Sequence, residues 1–202
     1  MGSFSDVTER RALEERLRHQ ALYDSLTGLP NRVLFLDRLS HALATAERQP
    51  GFSYAVLWLD LDNFKDLNDG LGHLMGDKLL VRVADRVRRH LRDTDTAARF
   101  GGDEFAVLLE DVADLPSVDQ VLQRLLEHLG EPYDIEGHRV VATASIGVVT
   151  ATNGYERPED VLRDADVAMY RVKSSGRASY ATFSPPGHPG TGPHGTGPHA
   201  QG

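Results

Sequence analysis

The chain is expected to fold as an α/β domain whose sheet contains antiparallel strands, and three observations lead there. Residues 52–60 form an apolar, β-rich run, the pattern of a strand buried by the rest of the fold. Two shorter runs, 97–100 and 105–109, flank Gly101-Gly102 and read as a hairpin. Amphipathic helical stretches are interleaved with these strands, so helices cover one or both faces of the sheet.

Residues 1–22 come first. Glu9, Arg10, Arg11, Glu14, Glu15, Arg16 and Arg18 surround Leu13, Leu17 and Ala21, which share one helical face. Asp6 or Thr8 is placed to cap this helix. Its apolar stripe is too thin for a core, so it is either a solvated helix resting on the domain or a dimerising signalling helix. Residues 23–184 are read as the domain. A helix at 31–48 follows the Gly28-Leu29-Pro30-Asn31 turn, then the strand at 52–60 and a long amphipathic helix at 74–91. After the hairpin come a helix at 118–129, a strand at 140–149, a helix at 158–173 and a short strand at 180–183. Pro158 opens its helix, where a missing N–H does no harm. Residues 185–202 repeat Gly-Thr-Gly-Pro-His at 190–194 and 195–199, a composition that cannot bury a core. Disorder is expected there, and His188, His194 and His199 then have no fixed frame for a metal.

The 202 residues suit one domain with appendages. A net charge of −8 argues against broad binding to a nucleic acid polymer or an anionic membrane. It leaves a single nucleotide open, since local groups can hold a phosphate. Cysteine is absent, which excludes thiol chemistry and removes any need for an oxidising compartment. No run is long enough to insert in a bilayer, and no apolar leader opens the chain, so a cytoplasmic location is expected.

Asp60 ends the apolar strand, and Asp62 points to the same side of an extended segment. A buried strand-end carboxylate is costly unless paired or holding a cation. The plainer reading is an aspartate capping the next helix, which suits Asp62 better than Asp60. In Gly101-Gly102-Asp103-Glu104, the glycines permit positive φ, and two adjacent acids repel each other unless a cation is near. Such hard oxygens suit Mg²⁺, although an exposed acidic turn is the plainer alternative. Backbone N–H groups at Asn63, Phe64 and Lys65, in a turn that opens a helix, can hold phosphate oxygens. From Asn68 through His73 to Asp77 the chain is polar and broken by glycine. Asp77 can accept from guanine N1–H and N2–H, with Asn68 beside it, or the stretch is a loop with caps. Lys173 and Arg177 flank a helix C-terminus, where they favour the dipole or a phosphate.

These segments resemble a known family. Arg99-Phe100-Gly101-Gly102-Asp103-Glu104-Phe105 is similar to the signature of GGDEF-domain diguanylate cyclases. Asp24 to Arg32, Asp60 to Lys65, Asn68-Asp69, Gly72-His73, Gly76-Asp77, Ser145-Ile146-Gly147-Val148 and Ala165 to Arg177 resemble its other segments in order, over about residues 20–183. The resemblance implies a ferredoxin-like, nucleotidyl-cyclase-type core: a mostly antiparallel central sheet flanked by helices, with an N-terminal helix added. It implies condensation of two GTP into cyclic di-GMP across an antiparallel homodimer. Mg²⁺ or Mn²⁺ would be held by Asp60, the Leu61 carbonyl and Glu104, with Asp103 sharing the metal or helping to deprotonate the 3′-hydroxyl. Gly101 and Gly102 would admit GTP, while Asn68 and Asp77 would read guanine, with His73 in the same binding stretch. Lys173, Arg177 and the Asn63–Lys65 backbone would hold the β- and γ-phosphates, and Asp24 would pair with Arg99.

Arg92-Asp93-Thr94-Asp95, six residues before Gly101, resembles the family's product-inhibition site for cyclic di-GMP at Arg92 and Asp95. Arg88, Arg89 and Arg124 are candidates for a second basic contact. The plainer reading is a surface ion pair. Two other classes remain: a degenerate module that binds GTP or cyclic di-GMP without chemistry, and an interaction domain. Retention of Asp60, Asp103 and Glu104 disfavours the first. No segment resembles the phosphodiesterase domains often fused to this family. Ser5 to Arg10 resembles the exit of PAS sensor domains, which suggests loss or truncation of an input domain.

Overall fold

The computed structural model describes residues 4–150 and 154–183. In chain order the elements are α1 (Phe4–Leu22), α2 (Arg32–Arg48), β1 (Tyr54–Leu61), α3 (Phe64–Leu71), α4 (His73–Arg89), β2 (Thr96–Gly101) and β3 (Glu104–Glu110). There follow α5 (Leu115–Gly130), β4 (Tyr133–Ile135), β5 (His138–Val140), β6 (Ala144–Thr150), α6 (Pro158–Ser175) and β7 (Tyr180–Thr182).

Strand β1 organises the sheet, whose order is β2-β3-β1-β6-β7. It pairs antiparallel with β3 and β6, β2 pairs antiparallel with β3, and β7 joins β6 in parallel. All eight residues of β1 are buried. Alternation divides them: Ala55, Leu57, Leu59 and Leu61 pack with residues of α4, α5 and the β4–β5 pair. Tyr54, Val56 and Trp58 pack with α2 and α6. Helices on both faces make the strand a continuous apolar run, and they give the mostly antiparallel, helix-flanked sheet that the resemblance implied. Gly147 of β6 fixes how closely α6 lies: a Cβ there would stand 1.9 Å from the Ala165 carbonyl oxygen and 2.5 Å from the Met169 nitrogen.

Several expectations need correction. Helix α1 already runs from Phe4, so Asp6 and Thr8 lie within it and not at its start. Leu13 and Leu17 are exposed (58% and 56%), so the described residues leave their stripe largely uncovered. The end of α1 is fastened by Asn31, whose Nδ2 donates to the Ala21 carbonyl at 2.8 Å and whose backbone N–H donates to the Leu22 carbonyl at 2.9 Å. Residues 64–71 form a separate helix, and the strand expected at 140–149 is broken into β5 and β6. The tail lies outside the described residues. Among the described residues, no helix is long and apolar enough to cross a membrane.

Gly147→Ala should cost about 3 kcal/mol or more, because the new methyl meets backbone that cannot turn aside. Urea denaturation checks this; a loss under about 1 kcal/mol would show that α6 can move off the sheet.

Candidate functional site

The β2–β3 hairpin carries Asp103 and brings Glu104 opposite Asp60 in the β1–β3 register. Its turn depends on Gly101 (φ 146°) and Gly102 (φ 49°), conformations a Cβ disfavours. The Leu61 N–H donates to the Asp103 carbonyl at 3.3 Å, which holds the tip against the end of β1. Arg99 secures the hairpin from behind. Its Nε and Nη2 donate to the Gly102 carbonyl at 3.0 and 2.9 Å, and its Nη1 reaches Asp24 Oδ1 and Oδ2 at 3.0 and 3.1 Å. The Arg99 backbone N–H donates to the Pro30 carbonyl at 3.0 Å. The expected Asp24–Arg99 pair is therefore present, and it includes the turn itself.

Alternation along β1 places Asp60 on the α6 face, where it is 7% exposed. Lys173, in the last turn of α6, puts its Nζ 2.7 Å from Asp60 Oδ1. Burial raises the Asp60 pKa; Asp103 and Asp62 add to the rise, and Lys173 opposes it. Glu104 is raised too, first by burial, then by Asp60, Asp103 and Asp166, again against Lys173. The structure thus gathers Asp60, Asp103, Glu104 and Lys173 and adds Asp166, an exposed acid on α6. Among the described residues, no group of three or more His, Cys, Asp or Glu side chains stands ready-made to hold a metal ion.

Asp62 does not cap the following helix. Its carboxylate accepts from Thr143 Oγ1 and Ser145 Oγ, both at 2.7 Å, and from the Ala178 N–H at 3.1 Å. It thereby ties the strand end to β6 and to the loop after α6, next to exposed Arg177. Asn63 takes a left-handed conformation (φ 57°) before α3, and no side chain caps that helix start. Phe64 packs against the core, whereas Lys65 is exposed.

Asn68 lies against Gly76, where a Cβ would fall 1.8 Å from Asn68 Oδ1. That oxygen is buried with no hydrogen-bond donor. Asp77 and His73 are exposed on the first turns of α4. Asp77 opens on a hollow of about 500 Å³ whose walls include Leu26, Leu74 and Val81. Sequence reasoning missed these walls. The available signal was Val81 one helical turn after Asp77, and Leu26 inside the motif that holds Asp24.

Arg92 and Asp95 lie apart from these groups, beyond the end of α4. The plain ion pair is not what joins them: Asp95 Oδ2 accepts from the Arg92 backbone N–H at 2.9 Å. The Arg92 side chain is exposed and, with Arg38, Arg88 and Asp95, lines a hollow of about 330 Å³. Arg124 instead donates to the His90 carbonyl at 2.6 Å.

Comparison with known proteins bears on this arrangement. The family model for "Diguanylate cyclase, GGDEF domain" matches residues 21–179. Diguanylate cyclase TpbB of Pseudomonas aeruginosa is 42% identical over 81% of this chain and 38% of its own length. Cyclic di-GMP phosphodiesterase NbdA of the same organism is 44% identical over 83% of this chain and 21% of its own length. The chain thus spans only a minor part of these relatives. The solved structure of a truncated TpbB from Pseudomonas aeruginosa comprising only its GGDEF domain gives a TM-score of 0.77 at 40% identity, over 80% of this chain and 94% of that one. The coiled coil and GGDEF domain of DgcB from Caulobacter crescentus, in complex with c-di-GMP, gives 0.79 at 30% identity, over 87% and 93%.

The Asp24 anchor has a pH signature. Burial acts to raise its pKa, but the Thr27 hydroxyl and N–H and the Arg99 guanidinium outweigh it and hold the carboxyl below its ordinary value. Its stabilisation is complete above the unfolded value of about 3.9 and is lost as pH falls through the lower folded one. Asp24→Asn should cost about 2 kcal/mol near pH 7, and the gap should narrow below about pH 4. Urea midpoints across this range check it; a gap that stays constant would assign the loss to packing rather than charge.

Proposed function

The chain belongs to the GGDEF family of diguanylate cyclase domains, and on that premise we propose that it condenses two GTP into cyclic di-GMP and two pyrophosphates. The observation that carries this reading is the in-register meeting of buried Asp60 and half-buried Glu104, held beside Asp103 by a hairpin anchored through Arg99. A plain acidic turn gains nothing from carboxylates pressed together until their pKa values rise.

The donor set fits a hard divalent cation. Asp60 and Glu104 with the Leu61 carbonyl would hold Mg²⁺ or Mn²⁺, and an incomplete protein cage suits an ion that shares phosphate oxygens with its substrate. When bound, the ion would offset charge on the phosphates during transfer. Asp103 stands at the tip, where it would either share the metal or accept the proton of the attacking 3′-hydroxyl. Gly101 and Gly102 leave room for the nucleotide. Lys173, Arg177 and the uncapped N–H groups at Asn63, Phe64 and Lys65 would bind the β- and γ-phosphates. Asp77 and Asn68, whose Oδ1 has no hydrogen-bond partner, would read the guanine edge, with His73 nearby and Leu26 and Val81 as apolar walls for the ring. The product is two-fold symmetric, so two domains would meet antiparallel as a homodimer, each presenting its 3′-hydroxyl to the other's α-phosphate.

In this reading residues 1–22 serve as a signalling and dimerisation helix, 23–184 as the catalytic domain and 185–202 as a tail, in the cytoplasm. Cyclic di-GMP would inhibit by docking at Arg92 and Asp95, with Arg88 or Arg38 across the hollow as the second basic contact. A second reading, a module that binds GTP or cyclic di-GMP without chemistry, is favoured by one observation: a relative named as a phosphodiesterase matches 83% of this chain. Incubation with GTP and Mg²⁺ followed by nucleotide chromatography separates the two.

Glu104→Gln should lower cyclic di-GMP formation by about 10³-fold or more. It should also raise Tm by a few degrees, because a carboxylate whose folded pKa is raised loses stability as pH rises through that value. Calorimetry and turnover on one preparation check both; substantial turnover by the variant would remove Glu104 from the reaction. ATP should react at least roughly 10³-fold less efficiently than GTP, since adenine leaves the Asp77 carboxylate without its donors. Comparable kcat/KM for the two would refute the edge-reading role.

A further inference from the structure

Lys173 faces two duties that one ammonium cannot perform together. As a phosphate ligand it must point at the nucleotide, yet its Nζ lies 2.7 Å from Asp60 Oδ1. Asp60 is 7% exposed, so its partner sits where a cation serving that carboxylate must sit. Glu104 stands opposite Asp60 in the β1–β3 register, with Asp103 next to it in the hairpin.

We propose that Lys173 is the exchangeable occupant of the cation site. Without nucleotide its ammonium neutralises Asp60 and keeps divalent metal out; the triphosphate draws it away, and metal enters together with the nucleotide. The proposal deepens the cyclase reading and rests on it. Three features support the exchange. First, the backbone of α6 is seated on Gly147 and does not need to move. The four-carbon stem of lysine can swing its charge while the helix stays fixed. Second, a triphosphate carries several negative charges and outcompetes one carboxylate for an ammonium. Third, an ammonium and a divalent cation repel each other at a shared oxygen, so metal binding requires the lysine to leave. Metal and nucleotide are then positively coupled through this side chain, and by linkage each tightens the other by the same factor.

The test is calorimetric titration of Mn²⁺ into the full chain, alone and with a GTP analogue whose α,β-bridge is an unreactive methylene. The native chain should bind Mn²⁺ at least about tenfold more tightly with the analogue present. Lys173→Met should tighten nucleotide-free Mn²⁺ binding by about tenfold and shrink that coupling. Equal or weaker nucleotide-free binding by the variant overturns the exchange. An analogue that binds neither chain sinks the cyclase reading itself, which keeps the two failures distinct. Should Lys173→Met not fold, the native chain still decides. Its lysines are Lys65, Lys78 and Lys173, so ¹³C-methylated side chains give one resonance each, assigned with Asp60→Asn. Metal-free analogue should shift the Lys173 resonance, and a resonance that stays in place overturns the proposal.

Discussion

Strand β1 is covered on both faces, and that constraint governs what happens at its end. Its apolar residues divide alternately between the α4–α5 core and the α2–α6 core. Asp60, next in the alternation, is therefore delivered to the α6 side and not to solvent. Its neighbours in the ladder are Glu104 on one side and Ser145 on the other. Burial that stabilises the strand makes the charge at its end expensive, and the nearby acids add to that cost. The fold consequently places unfavourable charge at one spot, which is a usual mark of a functional site.

Such a site needs stiff surroundings, because repelling carboxylates separate if they can. The surroundings here consist of a few well-directed groups. Arg99 spans from the Asp24 turn to the Gly102 carbonyl, Asp62 gathers Thr143, Ser145 and Ala178, and Gly147 lets α6 rest directly on β6. Each of these is charged, polar or glycine, and each secures backbone around the acids.

Much of this was legible in the sequence because periodicity and turn chemistry are local. The run at 52–60, the Gly-Gly hairpin and the helices with clear apolar faces could be read directly. The Asp24–Arg99 pair came from the family resemblance, and the structure bears it out. Other features depend on partners remote in sequence. Asp62 looked like a helix cap because its partners lie more than 80 residues away. Strands β4 and β5 are three residues each, too short for alternation to register. Helix α3 has eight residues interrupted by polar groups and Gly70, so beyond the helix-opening turn at Asn63–Lys65 its extent did not show. Leu26 and Val81 could be recognised as walls only once α4 was seen beside the Asp24 turn.

Asn31 ties down the last carbonyls of α1, and its neighbour Pro30 accepts the backbone N–H of Arg99, whose guanidinium grips Gly102. Helix end, turn and hairpin are thus joined by short hydrogen bonds with no slack segment between them. In mechanical terms α1 would act as a handle on the hairpin, coupled to it through these bonds. A twist applied to the handle would reach the acidic tip as a displacement, because the intervening joints offer little compliance to absorb it.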